Sequence, residues 1–287
     1  MFCRSLIVCA VSGVGHRLGI DFGTSSTVAV LGWPDGRVKP LLFDGSPLLP
    51  SAVCVDAAGG LLVGRDALHA AHAAADRFEP YPKRRIDDGT VLLGDAEVAV
   101  IDLVGAVLAR VVIEARHIAG EGLDSVVLTC PAAWGAPRRE LLLAAAGQAG
   151  LPTVRLVAEP VAAAAYFLAV AAARIPIDAA AVVYDLGAGT FDATVVRHTG
   201  DSFVVLATSG LDDTGGLDID AAVMGDFRAT YADRDPTAWR RITEPTTPAD
   251  RRAARQAWEN VRQGGSFPAQ LHRDSPASAG ARCPART

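Results

Sequence analysis

Apolar and polar residues alternate along this chain in a way that predicts strands and helices in turn. Two short apolar segments, residues 17–21 and 27–32, flank a turn of Gly, Ser and Thr and predict a β-hairpin. Another hairpin is predicted over 52–56 and 61–63, around Gly59 and Gly60. A further strand at 181–184 leads into a hairpin that repeats the pattern of the first.

Between the repeated hairpins the pattern changes to helices alternating with strands. Helical periodicity predicts a helix over 100–119 that ends at Gly120. The other predictions here are a short helix over 67–75, a loop over 80–85, a buried strand over 125–130, a helix opened by Pro137 and ending at Gly150, a strand over 153–158, and an alanine-rich buried helix over 161–173 that follows Pro160. This alternation indicates an α/β fold.

The pattern weakens after Asp220. Residues 232–250 are polar and rich in proline, and residues 251–263 predict one charged helix. From Gly264 to the last residue there is no periodicity, so we expect a disordered tail over 264–287, and a truncation or frameshift would explain the abrupt change. We also expect residues 1–16 to be a disordered leader, because the apolar run at 6–11 is shorter than the core of a signal peptide.

Composition narrows the classes of function. The chain has 287 residues, half of them hydrophobic, which is enough for two modest domains. A net charge of −5 and few aromatic residues argue against a nucleic-acid partner. The five cysteines are scattered without metal spacing, which favours a reduced, cytoplasmic protein. The longest uncharged apolar run is too short to span a membrane, so no membrane contact is expected.

The repeated hairpin carries the chemistry. Its first copy reads Asp21-Phe22-Gly23-Thr24-Ser25 and its second Asp185-Leu186-Gly187-Ala188-Gly189-Thr190. Such turns point several backbone N–H groups at one spot, which suits phosphate oxygens, and their glycines allow positive φ and close backbone approach. The two aspartates are hard oxygen ligands that suit Mg²⁺. Two such turns facing each other would hold a magnesium nucleotide from both sides.

Each motif also has a plainer interpretation. A single turn of this kind is usually only a hairpin turn, and neither copy fits a P-loop or a dinucleotide fingerprint. Glu159 before Pro160 would suit any helix N-terminus, and Lys83 could belong to a solvated basic loop. Gly215 and Gly216 form either a third phosphate-facing loop or a simple turn. The repetition of the Asp, Gly and hydroxyl pattern favours phosphate binding.

Taken in order, these segments resemble the nucleotide-binding domain of the Hsp70 chaperones, within the actin-like ATPase superfamily. The resemblance covers about residues 17–225. It is carried by the two phosphate turns, by Lys83 in Pro82-Lys83-Arg84-Arg85-Ile86, by the segment from Val126 to Trp134, by Glu159-Pro160 with the alanines that follow, and by Gly215-Gly216-Leu217-Asp218. Pro131 and Arg139 match the pair that the family uses to signal its nucleotide state.

The resemblance implies an actin-like (ribonuclease H-like) α/β fold of two related βα lobes. It places the first lobe at residues 17–150 and a second, truncated lobe at 151–263. It implies ATP or ADP with Mg²⁺ as cofactors, and Asp21 and Asp185 as the metal residues. The implied catalytic residues are Lys83, Glu159, Asp192 and Thr190, and the implied nucleotide-binding residues are Gly23, Thr24, Ser25, Gly187, Ala188, Gly189, Gly215 and Gly216.

Some positions depart from the family pattern. Ala188 stands where the family has Gly, which is tolerable if its φ stays negative, and Leu217 stands where it has Glu. The adenosine motif is not found, and residues 255, 259 and 262 only lie near the place of the adenosine-contacting helix. We therefore expect ATP to bind weakly or not at all.

Three functions stay open at this point. The first is a chaperone ATPase that works in the cytoplasm with J-domain co-chaperones and a nucleotide-exchange factor, as the resemblance implies. The second is a non-catalytic nucleotide-binding or interaction module. The third is a filament scaffold like the bacterial actin homologue MreB, although the Phe191-Asp192 ending favours Hsp70.

Overall fold

The computed structural model describes residues 15–120, 122–169, 175–247, 249–250, 253–254 and 257. The chain divides into two compact units, residues 1–216 and residues 217–287. The elements in chain order are β1 (His16–Phe22), β2 (Ser26–Gly32), β3 (Val38–Pro40), β4 (Leu49–Pro50), β5 (Val53–Val55), β6 (Leu61–Val63), α1 (Arg65–Ala70), β7 (Phe78–Glu79), β8 (Thr90–Leu93), β9 (Ala96–Ala99), α2 (Val100–Ala119), β10 (Leu123–Cys130), α3 (Ala136–Gln148), β11 (Val154–Ala158), α4 (Glu159–Ala169), β12 (Ala180–Leu186), β13 (Phe191–His198), β14 (Phe203–Leu211), α5 (Gly216–Tyr231) and α6 (Pro236–Thr243).

The largest sheet is mixed, with strand order β11-β10-β1-β2-β3, and β4 pairs with β2 beside this path. Strand β1 is antiparallel to β2 and parallel to β10, which is parallel to β11. In the parallel part of the sheet, Ile20 lies opposite Leu128. The carboxyl ends of β1, β10 and β11 therefore share one edge of the sheet, which is where open α/β sheets bind ligands.

Helix α2 supplies more buried residues to the core beside this sheet than any other single element. Its buried residues include Leu103, Val107 and Val111, which recur at helical spacing. They pack with strand residues such as Leu18 and Ile20 in one apolar cluster. The helix ends at Gly120, whose φ of 67° suits glycine, so the predicted span of 100–119 is confirmed to the residue.

A second sheet of three antiparallel strands has the order β12-β13-β14. Helix α4 covers one face of it, and Ala164 of the helix packs with Val196 and Phe203 of the strands. Strands β12 and β13 repeat the β1–β2 hairpin, since each pair is antiparallel and has an aspartate as the next-to-last residue of its first strand. The prediction of two related hairpins is confirmed. The α/β class is also confirmed, and the first sheet has the mixed order of an actin-like lobe.

Two smaller sheets and two 3-10 turns complete the first unit. Strand β5 pairs with β6 and β7, which confirms the hairpin predicted over 52–63, and β8 pairs with β9. One 3-10 turn spans Ala75–Arg77 and the other spans Pro82–Arg85. The prediction of a loop at 80–85 is therefore wrong in part, because Pro82 sits at the first position of a turn of helix, where its missing N–H costs nothing.

Several predicted boundaries also differ. Helix α1 begins two residues before the predicted start and ends at Ala70, well before residue 75. The helix predicted over 161–173 is found as α4, which buries one face through residues such as Ala162 and Ala164 and leaves Phe167 48% exposed. Residues 170–173 of that prediction lie outside the described part. Strand β11 belongs to the first sheet, beyond the lobe boundary expected at residue 150.

The second unit contains most of α5 and all of α6, two helices that the sequence pattern did not predict. Helix α6 is capped by Asp235, whose side chain accepts a hydrogen bond from the Ala238 N–H at 2.9 Å. Its Ile242 is buried with Ala254 and Ala257. The disorder expected for the leader and tail falls on residues outside the described part, except at the start of β1. Within the described ranges, no helix has the length and apolar character needed to cross a bilayer.

Candidate functional site

The two repeated turns leave several backbone amides without a hydrogen-bond acceptor among the described residues. In the second turn, the N–H groups of Ala188, Gly189 and Thr190 have no acceptor among the described residues. The N–H groups of Thr24 and Ser25 in the first turn also lack an acceptor within the described part of the chain. Successive amides without acceptors form the concave donor arrangement that binds anions.

The glycines of these turns serve close approach rather than unusual dihedral angles. Gly23, Gly187 and Gly189 all lack a positive φ, so these turns do not use the freedom of glycine to adopt one. A Cβ on Gly23 would lie 2.4 Å from the Ser26 carbonyl oxygen, so only glycine fits there. Ala188 has no positive φ either, which confirms that alanine is tolerated at this position.

Gly187 has a different task from the one predicted. Its N–H donates to the carbonyl of Thr190 at 2.9 Å and closes the turn, so this amide is not available to a phosphate. Its carbonyl accepts the N–H of Gly216 at 2.9 Å. A Cβ on Gly215 would lie 2.5 Å from the Ala188 carbonyl oxygen. Gly215 and Gly216 thus pack directly on the second turn.

The two turns meet each other. A Cβ on Gly189 would lie 3.0 Å from both Oγ1 and Cγ2 of Thr24, so the second turn touches the first. Thr24 of the first turn and Thr190 of the second line the same cleft. This juxtaposition is what a ligand held from two sides requires.

Lys83 and Glu159 form a buried ion pair beside the turns. Lys83 Nζ donates to Glu159 Oε1 at 2.8 Å, and the side chains are only 11% and 17% exposed. The 3-10 turn positions the lysine, and the N-terminus of α4 positions the glutamate. The ammonium also lies 5.5 Å from the centre of the Trp134 ring. These contacts hold the lysine in one place.

Electrostatics ties this pair to the two aspartates. Burial opposes the charge of Lys83, but Glu159, Asp21 and Asp185 outweigh it and raise the pKa of Lys83 above its ordinary value. Burial raises the pKa of Glu159 to about 7, although Lys83 opposes the shift. Burial, helped by the Asp21 charge, also raises the pKa of Asp185. The four groups form one interacting set in which acidic charge is in excess.

Asp21 is oriented by a residue that sequence reasoning missed. Thr129 Oγ1 donates to Asp21 Oδ1 at 2.7 Å. The parallel register of β1 and β10, which places Ile20 opposite Leu128, puts these two side chains at the same level. Thr129 is buried, at 3% exposure, so the hydrogen bond is shielded from water.

Ser51 supports the first turn in a similar way and was also missed. Its hydroxyl donates to the Gly23 carbonyl at 2.8 Å and lies 2.9 Å from the Thr27 hydroxyl. Its N–H donates to the Ser25 carbonyl at 3.0 Å. These hydrogen bonds to the carbonyls of Gly23 and Ser25 fix the conformation of the first turn. Ser51 follows Pro50 in a plain segment of sequence that gives no signal of this role.

Thr190 and Asp192 are joined at the end of the second hairpin. Thr190 Oγ1 donates to Asp192 Oδ2 at 3.2 Å. A Cβ on Gly210 would lie 2.6 Å from Asp192 Oδ1, so glycine on β14 leaves room for the carboxylate. The threonine and the aspartate therefore act as one hydrogen-bonded unit.

A cleft of about 220 Å³ opens at this place. Thr24, Lys83, Thr190 and Asp192, all predicted as site residues, line it. Pro131 lines it as well, whereas the exposed Arg139 donates to the Ala132 carbonyl at 3.4 Å. Asp87 and Arg138, which were not predicted as site residues, also line the cleft and form an ion pair.

The donor set suits a magnesium ion. Asp21 and Asp185 are carboxylates close enough for one to raise the pKa of the other, and both belong to the interacting set around Lys83. The described residues hold no group of three or more His, Cys, Asp or Glu side chains arranged to bind a metal. Mg²⁺ does not need one, since it is usually bound by one or two carboxylates with substrate phosphates and water. The pair therefore fits Mg²⁺ that arrives with a phosphate ligand.

Comparison with known proteins gives the family to which the chain belongs. The family model described as Hsp70 protein matches residues 90–253, more than half of the chain. The chain belongs to the Hsp70 family. The family match includes Glu159, Asp185 and Asp192. It begins after Asp21 and Lys83, whose placement rests on the geometry given above.

Individual relatives carry chaperone names. The chain is 34% identical over 280 residues to a chaperone protein HscA homologue of Bordetella petrii, covering 88% of this chain. It is 32% identical over 205 residues to the chaperone protein DnaK of Thermotoga neapolitana, covering 71% of this chain. It is also 32% identical over 238 residues to the DnaK of Halobacterium salinarum, covering 79% of this chain. The matches span 42%, 34% and 37% of those relatives, respectively.

Proposed function

We propose that this chain binds ATP or ADP with Mg²⁺ in the cleft between the two turns and hydrolyses ATP by attack of water. The observation that carries this proposal is the Lys83–Glu159 ion pair of 2.8 Å beside two turns with unpaired amides. A buried cation, carboxylates and successive amide donors together suit the phosphates of a nucleotide. Phosphoryl transfer needs mainly such positioning and charge neutralisation.

The phosphates would be held by the turns. The amides of Ala188, Gly189 and Thr190 in the second turn, and those of Thr24 and Ser25 in the first, have no acceptor among the described residues and would donate to phosphate oxygens. Gly215 and Gly216 support the second turn from behind. Asp21 and Asp185 would hold Mg²⁺, which when bound offsets the negative charge of the phosphates. The amide of Gly187 has no part in this, because it closes its own turn.

The attacking water would lie near Lys83. The ammonium is held by Glu159 and Trp134, so it can orient a water molecule and offset the charge on the leaving phosphoryl group. Glu159, with its pKa raised to about 7, and Asp192 would accept or relay the proton of that water. Thr190, hydrogen-bonded to Asp192, would fix the carboxylate.

The affinity for the adenosine part is expected to be low. Residues 255, 259 and 262, which lie near the place of the adenosine-contacting helix, are outside the described part of the structure. The residues proposed for the phosphates are all present, whereas the adenosine motif of the family is not found in the sequence. We therefore expect the dissociation constant for Mg-ATP to lie above the low micromolar range. Calorimetry with Mg-ATP measures it, and a low micromolar value would contradict this expectation.

The proposed partners and location are supported by membership of the Hsp70 family. The relatives named DnaK and HscA homologue are chaperones, and we propose that this chain works in the cytoplasm with a J-domain co-chaperone and a nucleotide-exchange factor. The test is ATP turnover at millimolar ATP with and without a purified J-domain protein. We expect the J-domain protein to increase turnover. Turnover that is measurable but unaffected would contradict this partner.

A further inference from the structure

The cleft contains an ion pair that the proposed function does not use. Arg138, in the first turn of α3, donates from Nε to Asp87 Oδ1 at 2.9 Å and from Nη2 to Asp87 Oδ2 at 2.6 Å. Both residues line the cleft together with Lys83, Thr190 and Asp192. The side chain of Arg138 is 32% exposed and that of Asp87 is 60% exposed, so the pair lies where the cleft opens to solvent.

The guanidinium of Arg138 is only partly occupied. Two of its nitrogens bond Asp87, and Nη1 has no hydrogen-bond partner among the described residues. An arginine in this state can offer a planar pair of N–H donors to a second anion. The contact with Asp87 is bidentate, but it lies where solvent and salt screen it, so an anion that reaches the cleft can compete with Asp87 for the guanidinium.

We propose that Arg138 binds inorganic phosphate at the mouth of the cleft, and that Asp87 competes with the phosphate for the guanidinium. Phosphate suits the site because it presents several oxygens to the donor fork and carries the charge that arginine requires. Phosphate is also the product of the reaction proposed above, so this inference rests on that function. The site would bind the product before it leaves the cleft. No bond is made or broken in this step.

The competing explanation is that the Arg138–Asp87 ion pair is only a structural tie, a contact that stabilises the packing of α3 against the segment that carries Asp87. The two explanations predict different signs. If the pair were only a tie, removing either partner would have the same effect, because the same contact is lost. If Asp87 competes with phosphate, loss of the arginine weakens phosphate binding and loss of the aspartate strengthens it.

The experiment is calorimetric titration of the full chain with inorganic phosphate in the presence of Mg-ADP. We expect Arg138→Gln to weaken phosphate binding about three- to tenfold, as befits the loss of charge-assisted hydrogen bonds at a partly exposed position. We expect Asp87→Asn to tighten it about two- to fivefold. Arg138→Lys keeps the charge but not the fork, and we expect weakening here too.

The control is Arg37→Gln, which removes an arginine from an exposed pair with Asp35 outside the cleft lining and should leave phosphate binding unchanged. The inference is overturned if Arg138→Gln and Asp87→Asn shift the affinity in the same direction, if Arg138→Lys binds like the unmodified chain, or if that chain binds no phosphate. ATP hydrolysis is measured separately on the same samples. Hydrolysis with Arg138-independent phosphate binding refutes only this inference, whereas Arg138-dependent binding without hydrolysis refutes only the proposed ATPase.

Discussion

Gly189 lies against Thr24 so closely that a Cβ on the glycine would be 3.0 Å from the threonine hydroxyl. The two residues belong to the two copies of one repeated hairpin and are 165 positions apart, since 189 − 24 = 165. Their contact is direct structural support for the inference that the repeats close on one ligand. The contact between Gly189 and Thr24 depends on the position of the second turn, which Gly215 and Gly216 pack against.

The support behind the second turn predicts a strong effect at Gly215. Gly215→Ala should destabilise the chain by about 1–3 kcal/mol, because its Cβ would lie 2.5 Å from a backbone carbonyl that cannot move aside. The matched control is Gly147→Ala on the exposed part of α3, where nothing lies within 4 Å. Alanine there should stabilise by about 0.5–1 kcal/mol. Chemical denaturation measures both, and equal effects would contradict the packing described here.

Local patterns were enough to predict much of the fold. Helix α2 was predicted correctly at both ends because its apolar residues recur at helical spacing and Gly120 follows them. The two hairpins were predicted because strand, turn and strand lie within one short segment. Helix α6 was missed, although Asp235 and Pro236 are helix start signals, because the segment around it is polar and rich in proline.

Contacts between distant segments could not be predicted in the same way. The Thr129–Asp21 hydrogen bond joins residues 108 positions apart and depends on the parallel register of β1 and β10. The pairing of Lys83 with Glu159 was suggested only by the family resemblance, since a basic loop and a helix-terminal glutamate have plainer explanations. Arg138 and Asp87 gave no signal because neither belongs to a motif.

Thr129 predicts a test of the metal site. Thr129→Val removes the hydroxyl that orients Asp21 but keeps the shape of the side chain. We expect the affinity for Mg²⁺, measured with ADP present, to fall about tenfold, as happens when partners of metal ligands are removed. Thr129→Ser should restore most of it. Unchanged affinity in the valine variant would show that Asp21 does not need this hydrogen bond or does not hold the metal.

Glu159 predicts how stability depends on pH in the metal-free chain. Its pKa is about 7 in the folded state against an ordinary value of 4.5, so the folded state holds the proton more tightly than the unfolded state does. This contribution is fully present below about pH 4.5 and is lost as the pH rises through 7.

The comparison is with Glu159→Gln, which cannot ionise. Between pH 4.5 and pH 8, the unfolding free energy of the unmodified chain should fall relative to the variant by about 1–3 kcal/mol. Denaturant titrations at several pH values give this difference. A difference that rises with pH would mean that Lys83 lowers the pKa of Glu159 more than burial raises it.

The central claim is that Lys83 promotes ATP hydrolysis in a cleft that other residues build. Lys83→Ala leaves the turn amides and both aspartates in place, so the nucleotide should still bind. The rate should fall at least a hundredfold, because a fixed charge at the reacting phosphate is lost. Lys39→Ala is the matched control, since Lys39 is exposed on β3 and is the only other lysine in the chain.

The most direct measurement is single-turnover hydrolysis of ATP at millimolar concentration with Mg²⁺, on variants checked for folding by circular dichroism. We predict hydrolysis by the unmodified chain and by Lys39→Ala, and none above background by Lys83→Ala with nucleotide binding retained. Hydrolysis by folded Lys83→Ala at the unmodified rate, or its absence in the unmodified chain, would contradict the account.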